Sequence, residues 1–253
     1  RGVVEAPHAG RAVPDEVKST IVASRDDLLR DSDPFVDRLW DAAPRFGASL
    51  LCAHVSRYVV DLNRAADDVG RDVVPDHPAP RPTQPRGVVW RVTSDGRPAM
   101  SRPLRHDELA ARLSRYHTPY HDALAAELER KRQRFGRVLL VAAHSMPSLG
   151  RARERRADIV PGSRGGTTCS GEVLRELEDL ARTERLSLRH DDPYRGGWTT
   201  GRWGRPADGI QAVQIELSRA LYRDEATLEP DEAGIARLSA LVGRLCVRLG
   251  VVV

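Results

Sequence analysis

The 253-residue chain is 40% hydrophobic and 30% charged, a balance that suits a globular chain large enough for one α/β domain. Its 40 basic against 36 acidic residues leave a net charge of +4, but the basic residues are mostly arginines scattered along the whole length, which excludes the clustered, aromatic-interleaved surface of a nucleic-acid partner. No stretch nears the ~20 apolar residues of a membrane span, and the first residues lack a signal-peptide pattern, so a cytoplasmic chain with no membrane partner is expected.

In chain order, short apolar runs alternate with segments of helical period. This is the pattern of an α/β fold with a mixed, mainly parallel sheet and helices on both faces. Residues 2–6 are the first predicted strand, followed at once by Pro7, His8, Ala9 and Gly10. A helix is predicted over 33–46, with Asp33 as its N-cap and Gly47 as its stop. A strand over 49–53 leads to a polar island from Ser56 to Arg64. Residues 72–103 carry Pro75, Pro78, Pro80, Pro82 and Pro85, and read as a long irregular excursion, a candidate lid, with a strand at 88–92 inside it. Residues 107–135 hold one long helix or two, interrupted at Pro119.

The strand at 138–143 runs into His144, Ser145, Met146, Pro147 and Ser148. Strands at 158–161, 186–189 and 210–216 and helices at 172–184 and 231–249 complete the pattern. No repeat or domain boundary is visible, so residues 1–253 are expected to form one domain. Cys52, Cys169 and Cys246 are widely spaced and odd in number, which predicts reduced thiols, with Cys52 and Cys246 buried.

Polar chemistry collects at the predicted strand ends, where open α/β sheets gather their functional groups. Glu216 is carried by an apolar run into buried surroundings, where a carboxylate must be paired, bound to metal or kept partly protonated. His8 and His144 follow apolar runs, and two imidazoles with a carboxylate are the usual three protein ligands of a catalytic zinc; a lone strand-end histidine is equally a hydrogen-bonded structural residue. His117 and His121 have the i, i+4 spacing of one helical face and form a competing site, although Pro119 between them reads as a turn entering a helix. His121 is a candidate substrate contact. Arg57 lies beside the apolar pair Val59 and Val60, where a guanidinium calls for an anion or for an ion pair with Asp61. Arg164 and Arg195 sit in glycine-rich loops, either reaching a substrate carboxylate or simply solvated. His77, His106 and His190 stand in polar contexts and are expected in solvent. No Gly-x-Ser-x-Gly elbow follows a strand, which disfavours a serine hydrolase.

Eight islands in order, residues 5–10, 33–39, 56–64, 116–121, 144–148, 158–162, 193–197 and 214–222, resemble the N-formylglutamate amidohydrolase family over nearly the whole chain. The resemblance implies a fold similar to zinc carboxypeptidases and aspartoacylase, one zinc ion, and hydrolysis of the formamide of N-formyl-L-glutamate to formate and glutamate in histidine breakdown. It implies His8 and His144 as metal ligands, Glu216 as general base, Arg57 beside the scissile carbonyl, and Asn63 with Arg64, in the run Asp61-Leu62-Asn63-Arg64, holding a substrate carboxylate. One position departs: relatives place a ligating glutamate three residues after the first histidine, and here Arg11 stands there. Asp33 is then the expected third ligand, ahead of Asp37, Glu5 and Asp15. A deacylase or peptidase acting on another N-acyl amino acid has the same metal set, and the Arg11 substitution leaves open a non-catalytic module that binds an acidic ligand. The oligomeric state is not set by the sequence.

Overall fold

The computed structural model describes residues 1–252. In chain order it contains β1 (Gly2–Ala6), α1 (Asp15–Lys18), α2 (Arg25–Asp31), α3 (Val36–Trp40), β2 (Ser49–Cys52), α4 (His106–Arg112), α5 (Thr118–Phe135), β3 (Val138–Met146), β4 (Ile159–Gly162), α6 (Gly171–Thr183), α7 (Trp198–Trp203), β5 (Ile210–Ser218) and α8 (Glu232–Val252). The five strands form one sheet in the order β2-β1-β3-β5-β4. β1 is parallel to β3, β3 is parallel to β5, and β4 is antiparallel to β5, so the fold is α/β with a mixed, mainly parallel sheet. Every residue of β3 and β5 is buried. A strand covered on both faces reads as a continuous apolar run rather than an alternating one, which is why these two strands are visible in the sequence. Their register sets His144 opposite Glu216.

The chain divides into two compact units. One comprises residues 1–6, 35–51 and 125–253 and carries most of the sheet. Within it α3 packs on α8, α8 on α6 and β1, and α7 on β3 and β5. Buried Trp40, Leu39, Leu139 and Leu140 belong to its core, each side chain contributing about 1.5–3 kcal/mol relative to exposure.

The other unit comprises residues 7–34 and 52–124 and relies on side-chain hydrogen bonds more than on ladders. Tyr58, Trp90 and Ala99 form a small core, with Ile21, Ala23 and Leu28 packed on it. Buried Arg112 donates to Val59 O (3.1 Å) and to Thr20 Oγ1 (2.5 Å), and burial pushes its guanidinium pKa down to about 10. Asp31 accepts from the Tyr58 hydroxyl at 2.5 Å and from Ser94 N at 2.8 Å. These bonds tie α2 to the irregular excursion.

Several expectations are corrected. The helix predicted over 33–46 is two short pieces, α3 and a 3₁₀ turn at Ala43–Phe46. Asp33 is not the N-cap: the helix starts at Val36, and Phe35, left-handed at φ 69°, takes the cap position. Gly47 does end the 3₁₀ turn, at φ 82°. Residues 88–92 and 186–189 form isolated bridges instead of strands; in the first, Arg91 N is spent on Pro85 O and Asp61 N reaches Val88 O. The helix is not broken at Pro119. A π-helical turn at Leu113–His117 leads directly into α5, and such a turn accommodates an irregularity inside a continuing helix. The short helices α1, α2 and α7 were not expected. Among the thiols, Cys169 is the buried one, whereas Cys52 and Cys246 are half-buried.

Candidate active site

In the unit of residues 7–34 and 52–124, two stretches lie side by side. Ala12 N donates to His54 O at 3.1 Å and Ser56 N to Ala12 O at 2.9 Å. Gly10 permits this approach, since a Cβ there would stand 2.3 Å from Val55 O. The chain returns after α2 so that Asp33 N donates to His8 O at 2.9 Å, with Asp33 Oδ2 3.6 Å from His8 Nδ1. The other ring nitrogen, Nε2, is 2.7 Å from Asp61 Oδ1. His8, Asp33 and Asp61 are all buried.

Asp61 is the hub. It accepts from His8, from Asn63 N (2.9 Å), from Trp90 Nε1 (3.0 Å) and from Arg57 Nε and Nη2 (3.1 and 2.6 Å). Burial by itself would raise its pKa; the Arg57 guanidinium, then His8 and Arg64, outweigh that and hold the carboxyl well below the usual carboxylate range. The ion pair with Asp61 read as one alternative for Arg57 therefore exists. Arg57 also donates from Nη1 to Asp31 O at 3.1 Å and lies over the Trp90 ring, 4.1 Å from its centroid. These three nitrogen contacts do not exhaust the N–H donors of a guanidinium.

Asn63 is buried and Arg64 half-buried, one turn beyond. His117 Nε2 lies 2.9 Å from Arg64 O. The rings of His117 and His121 are 4.3 Å apart, so the unbroken helix does put both on one face, contrary to the geometry expected from Pro119. Neither His117 nor His121 belongs, among the described residues, to a group of three or more potential metal ligands.

In the unit of residues 1–6, 35–51 and 125–253, the C-terminal halves of β3 and β5 bring buried His144 and Glu216 into register. Gln214, two residues before Glu216 and so on the same face of the strand, donates to Glu216 Oε1 at 2.8 Å and accepts from Gly197 N at 2.7 Å. Arg219 Nε donates to Ser145 Oγ at 3.2 Å. The two glycine-rich loops interlock: Arg164 N donates to Arg195 O at 2.8 Å, and a Cβ on Gly162 would stand 2.5 Å from Gly196 N. Arg164 and Arg195 themselves are exposed.

Of the alternative acids, Asp37 is half-buried on α3, Glu5 is buried within β1 and Asp15 is exposed on α1. Arg11 is exposed. His77 and His106 sit edge to face at the surface, and His190 is paired with Glu178 at 2.7 Å rather than simply solvated. Sequence reasoning missed Asp61 as the partner of His8, and it missed Asp31 and Trp90 altogether. A fully buried aspartate in an otherwise apolar run was the available signal for Asp61; nothing local marks the other two.

The model of the N-formylglutamate amidohydrolase family matches residues 1–223. The chain belongs to that family. It is 32% identical to the N-formylglutamate deformylase of Pseudomonas aeruginosa over 96% of this chain and 89% of the relative. It is 31% identical to the deformylase of the same name from Pseudomonas putida, over 88% and 82%. Among solved structures, the N-formylglutamate amidohydrolase from Ralstonia eutropha JMP134 superimposes with a TM-score of 0.92 at 33% identity, covering 100% of this chain and 93% of that one. A gene product of Agrobacterium tumefaciens, 23% identical with a TM-score of 0.73, covering 99% of this chain and 91% of that one, shares the fold. No helix among the described residues is long and apolar enough to cross a membrane.

Proposed function

We propose that this family member is a zinc-dependent amide hydrolase that cleaves N-formyl-L-glutamate to formate and glutamate, with His8, Asp33 and His144 as the metal ligands. His8 carries the reading. Its Nε2 is engaged by the buried Asp61 carboxylate, which fixes the tautomer and presents Nδ1 toward Asp33 as the ligating nitrogen, the arrangement by which outer carboxylates orient metal-bound imidazoles. Each of the three proposed ligands is buried and offers one ligand atom, and two imidazoles with a carboxylate suit a catalytic zinc. Topology supports the inclusion of His144: β1 and β3 are parallel neighbours, and His8 and His144 stand at the same, C-terminal, ends of these strands. Asp33 then supplies the carboxylate that Arg11 cannot.

When bound, the metal supplies a Lewis acid and lowers the pKa of water. The remaining steps belong to the chain. Glu216, held by Gln214, takes the proton of the attacking water and returns it to the departing amine nitrogen. Arg57 directs its remaining N–H donors at the oxyanion that develops from the formyl oxygen. Asn63 and Arg64 hold the α-carboxylate of the substrate, with Arg164, Arg195 and His121 as the contacts for its side chain. A fully charged, small-molecule substrate matches this arginine-rich set. Histidine breakdown, in the cytoplasm, is the setting that the reading implies.

The test is metal content by elemental analysis together with formate release from N-formyl-L-glutamate before and after chelation. About one zinc per chain and chelator-sensitive release are expected, with both lost in His8→Ala and His144→Ala. Metal without formate release would move the substrate to another N-acyl amino acid; absence of both would overturn the enzymatic reading.

A further inference from the structure

The proline-rich excursion does more than cover surface, because one of its residues touches the proposed machinery twice. Trp90 is buried at 6% exposure; its ring lies under the Arg57 guanidinium at 4.1 Å and its Nε1–H donates to Asp61 Oδ2 at 3.0 Å. Arg57 Nε and Nη2 bond that same Asp61 oxygen. The indole therefore supplies a flat shelf for the guanidinium and a hydrogen bond to the carboxylate that aims it. We infer that Trp90 is a positioning residue, which holds Arg57 in the orientation needed at the scissile carbonyl by stacking beneath it and by tethering Asp61.

The shelf is itself fixed. Val88 N donates to Asp68 O at 2.8 Å, Asp61 N to Val88 O at 2.7 Å and Arg91 N to Pro85 O at 2.7 Å. On its far side Ser94 N donates to Asp31 Oδ2 at 2.8 Å, and Asp31 O accepts from Arg57 Nη1. Arg57 is thus held on its edge by Asp61 and Asp31 and on its face by Trp90. An arginine on a long flexible stem loses side-chain freedom when it acts; stacking and a two-sided set of acceptors remove that freedom beforehand, so the remaining donors meet the developing oxyanion already oriented. An excursion pinned at these points serves as a buttress for Arg57 and not as a mobile lid.

The inference rests on the role proposed for Arg57, and its test separates the two. With saturating zinc, kcat and KM for N-formyl-L-glutamate are measured in Trp90→Phe, Trp90→Leu, Arg57→Ala and the double variant Arg57→Ala/Trp90→Leu. Trp90→Leu, which loses shelf and tether, is expected to lower kcat on the order of tenfold with KM little changed. Trp90→Phe keeps the shelf and should lose roughly threefold or less. In the Arg57→Ala background Trp90→Leu should cost almost nothing more, because the two act as one unit. Effects that multiply would overturn the positioning role while leaving Arg57 in place. If Arg57→Ala itself turns over normally, the role of Arg57 falls and that of Trp90 falls with it. A readout independent of substrate is the solvent exchange of the Arg57 Nε–H, followed by NMR with 15N-labelled arginine. Slow exchange in the wild type and in Trp90→Phe, and at least about tenfold faster exchange in Trp90→Leu, are expected from loss of the shelf; equal rates would refute it. Trp90→Met replaces Trp90→Leu if the latter does not fold.

Discussion

The strand pair β3–β5 and the irregular stretch from Ser56 to Ser94 deliver functional groups by opposite means. On the strands, backbone register does the placing: once β3 pairs with β5, His144 stands opposite Glu216 whatever the side chains prefer, and flanking apolar residues bury them. In the irregular stretch no ladder exists, and Arg57, Asp61 and Trp90 hold one another by side-chain hydrogen bonds and a stacked ring. A strand-borne group can be replaced without moving its neighbours, whereas removing one member of a side-chain network releases the others.

Four substitutions can break or sharpen that contrast. The largest effect on turnover is expected from Glu216→Gln, which keeps the shape and backbone register of β5 but removes the proposed base. A fall in kcat on the order of 10²- to 10⁴-fold, with metal content and melting temperature near those of the wild type, is the expected result; retained turnover would remove Glu216 from the mechanism. Asp61→Ala should behave differently, disturbing everything at once. Removing one member of a buried ion pair costs ~3–5 kcal/mol, and at the proposed metal site loss of the carboxylate behind His8 should cost roughly 10- to 100-fold in metal affinity. Denaturant unfolding of the chelated chain, with zinc titration, measures both, and an unfolding midpoint equal to the wild type would show that the network holds without its hub.

Arg64→Ala removes the proposed substrate anchor at the edge of this region, so KM should rise on the order of tenfold or more while kcat changes little, because ground state and transition state share the contact. An unchanged KM would exclude it as a carboxylate anchor. The smallest effect is expected at Glu108 in the first turn of α4, where the carboxylate forks with Arg102 at 2.8 and 2.7 Å and accepts from Arg105 N at 2.9 Å. The Arg102 bonds outweigh burial and hold its pKa down at about 2. A lowered folded-state pKa contributes stability above the unfolded value of ~4.3 that is lost as pH falls toward 2. Glu108→Gln should therefore cost less than ~1 kcal/mol near neutrality, as a largely solvent-screened pair, and its difference from the wild type should close between about pH 4.5 and pH 2. A difference independent of pH would point to lost helix capping instead of charge.

The same contrast explains what could be read in advance. β1, β3, β5, α6 and α8 lie within a few residues of their predicted positions because buried parallel strands and amphipathic helices write their periods into the chain. Residues 88–92 have the apolar, β-branched composition of a strand, yet their backbone groups bond to Asp61, Asp68, Pro85 and Ala99 and, among the described residues, to no neighbouring strand, with Gly87 permitting the close approach to Asp68 O. Asp33 looked like a helix cap because aspartate is a good one; the left-handed Phe35 takes that place, and Asp33 lies beside His8 instead. Pro119 looked like a break because proline inside a helix is one, but the π-helical turn before it absorbs the mismatch.

By itself the sequence determined the α/β class, the family, the strands that carry His144 and Glu216, and the residue types able to bind a metal and an anion. Those follow from short-range periodicity and from residues that keep their order along the chain. Tertiary structure alone decided that Asp61 serves His8 and Arg57 together, and that Trp90, 33 residues beyond Arg57 in sequence, forms the floor beneath its guanidinium. Such pairings between distant segments have no local signature, because each residue's own neighbours would be equally content with a solvated aspartate or a core tryptophan.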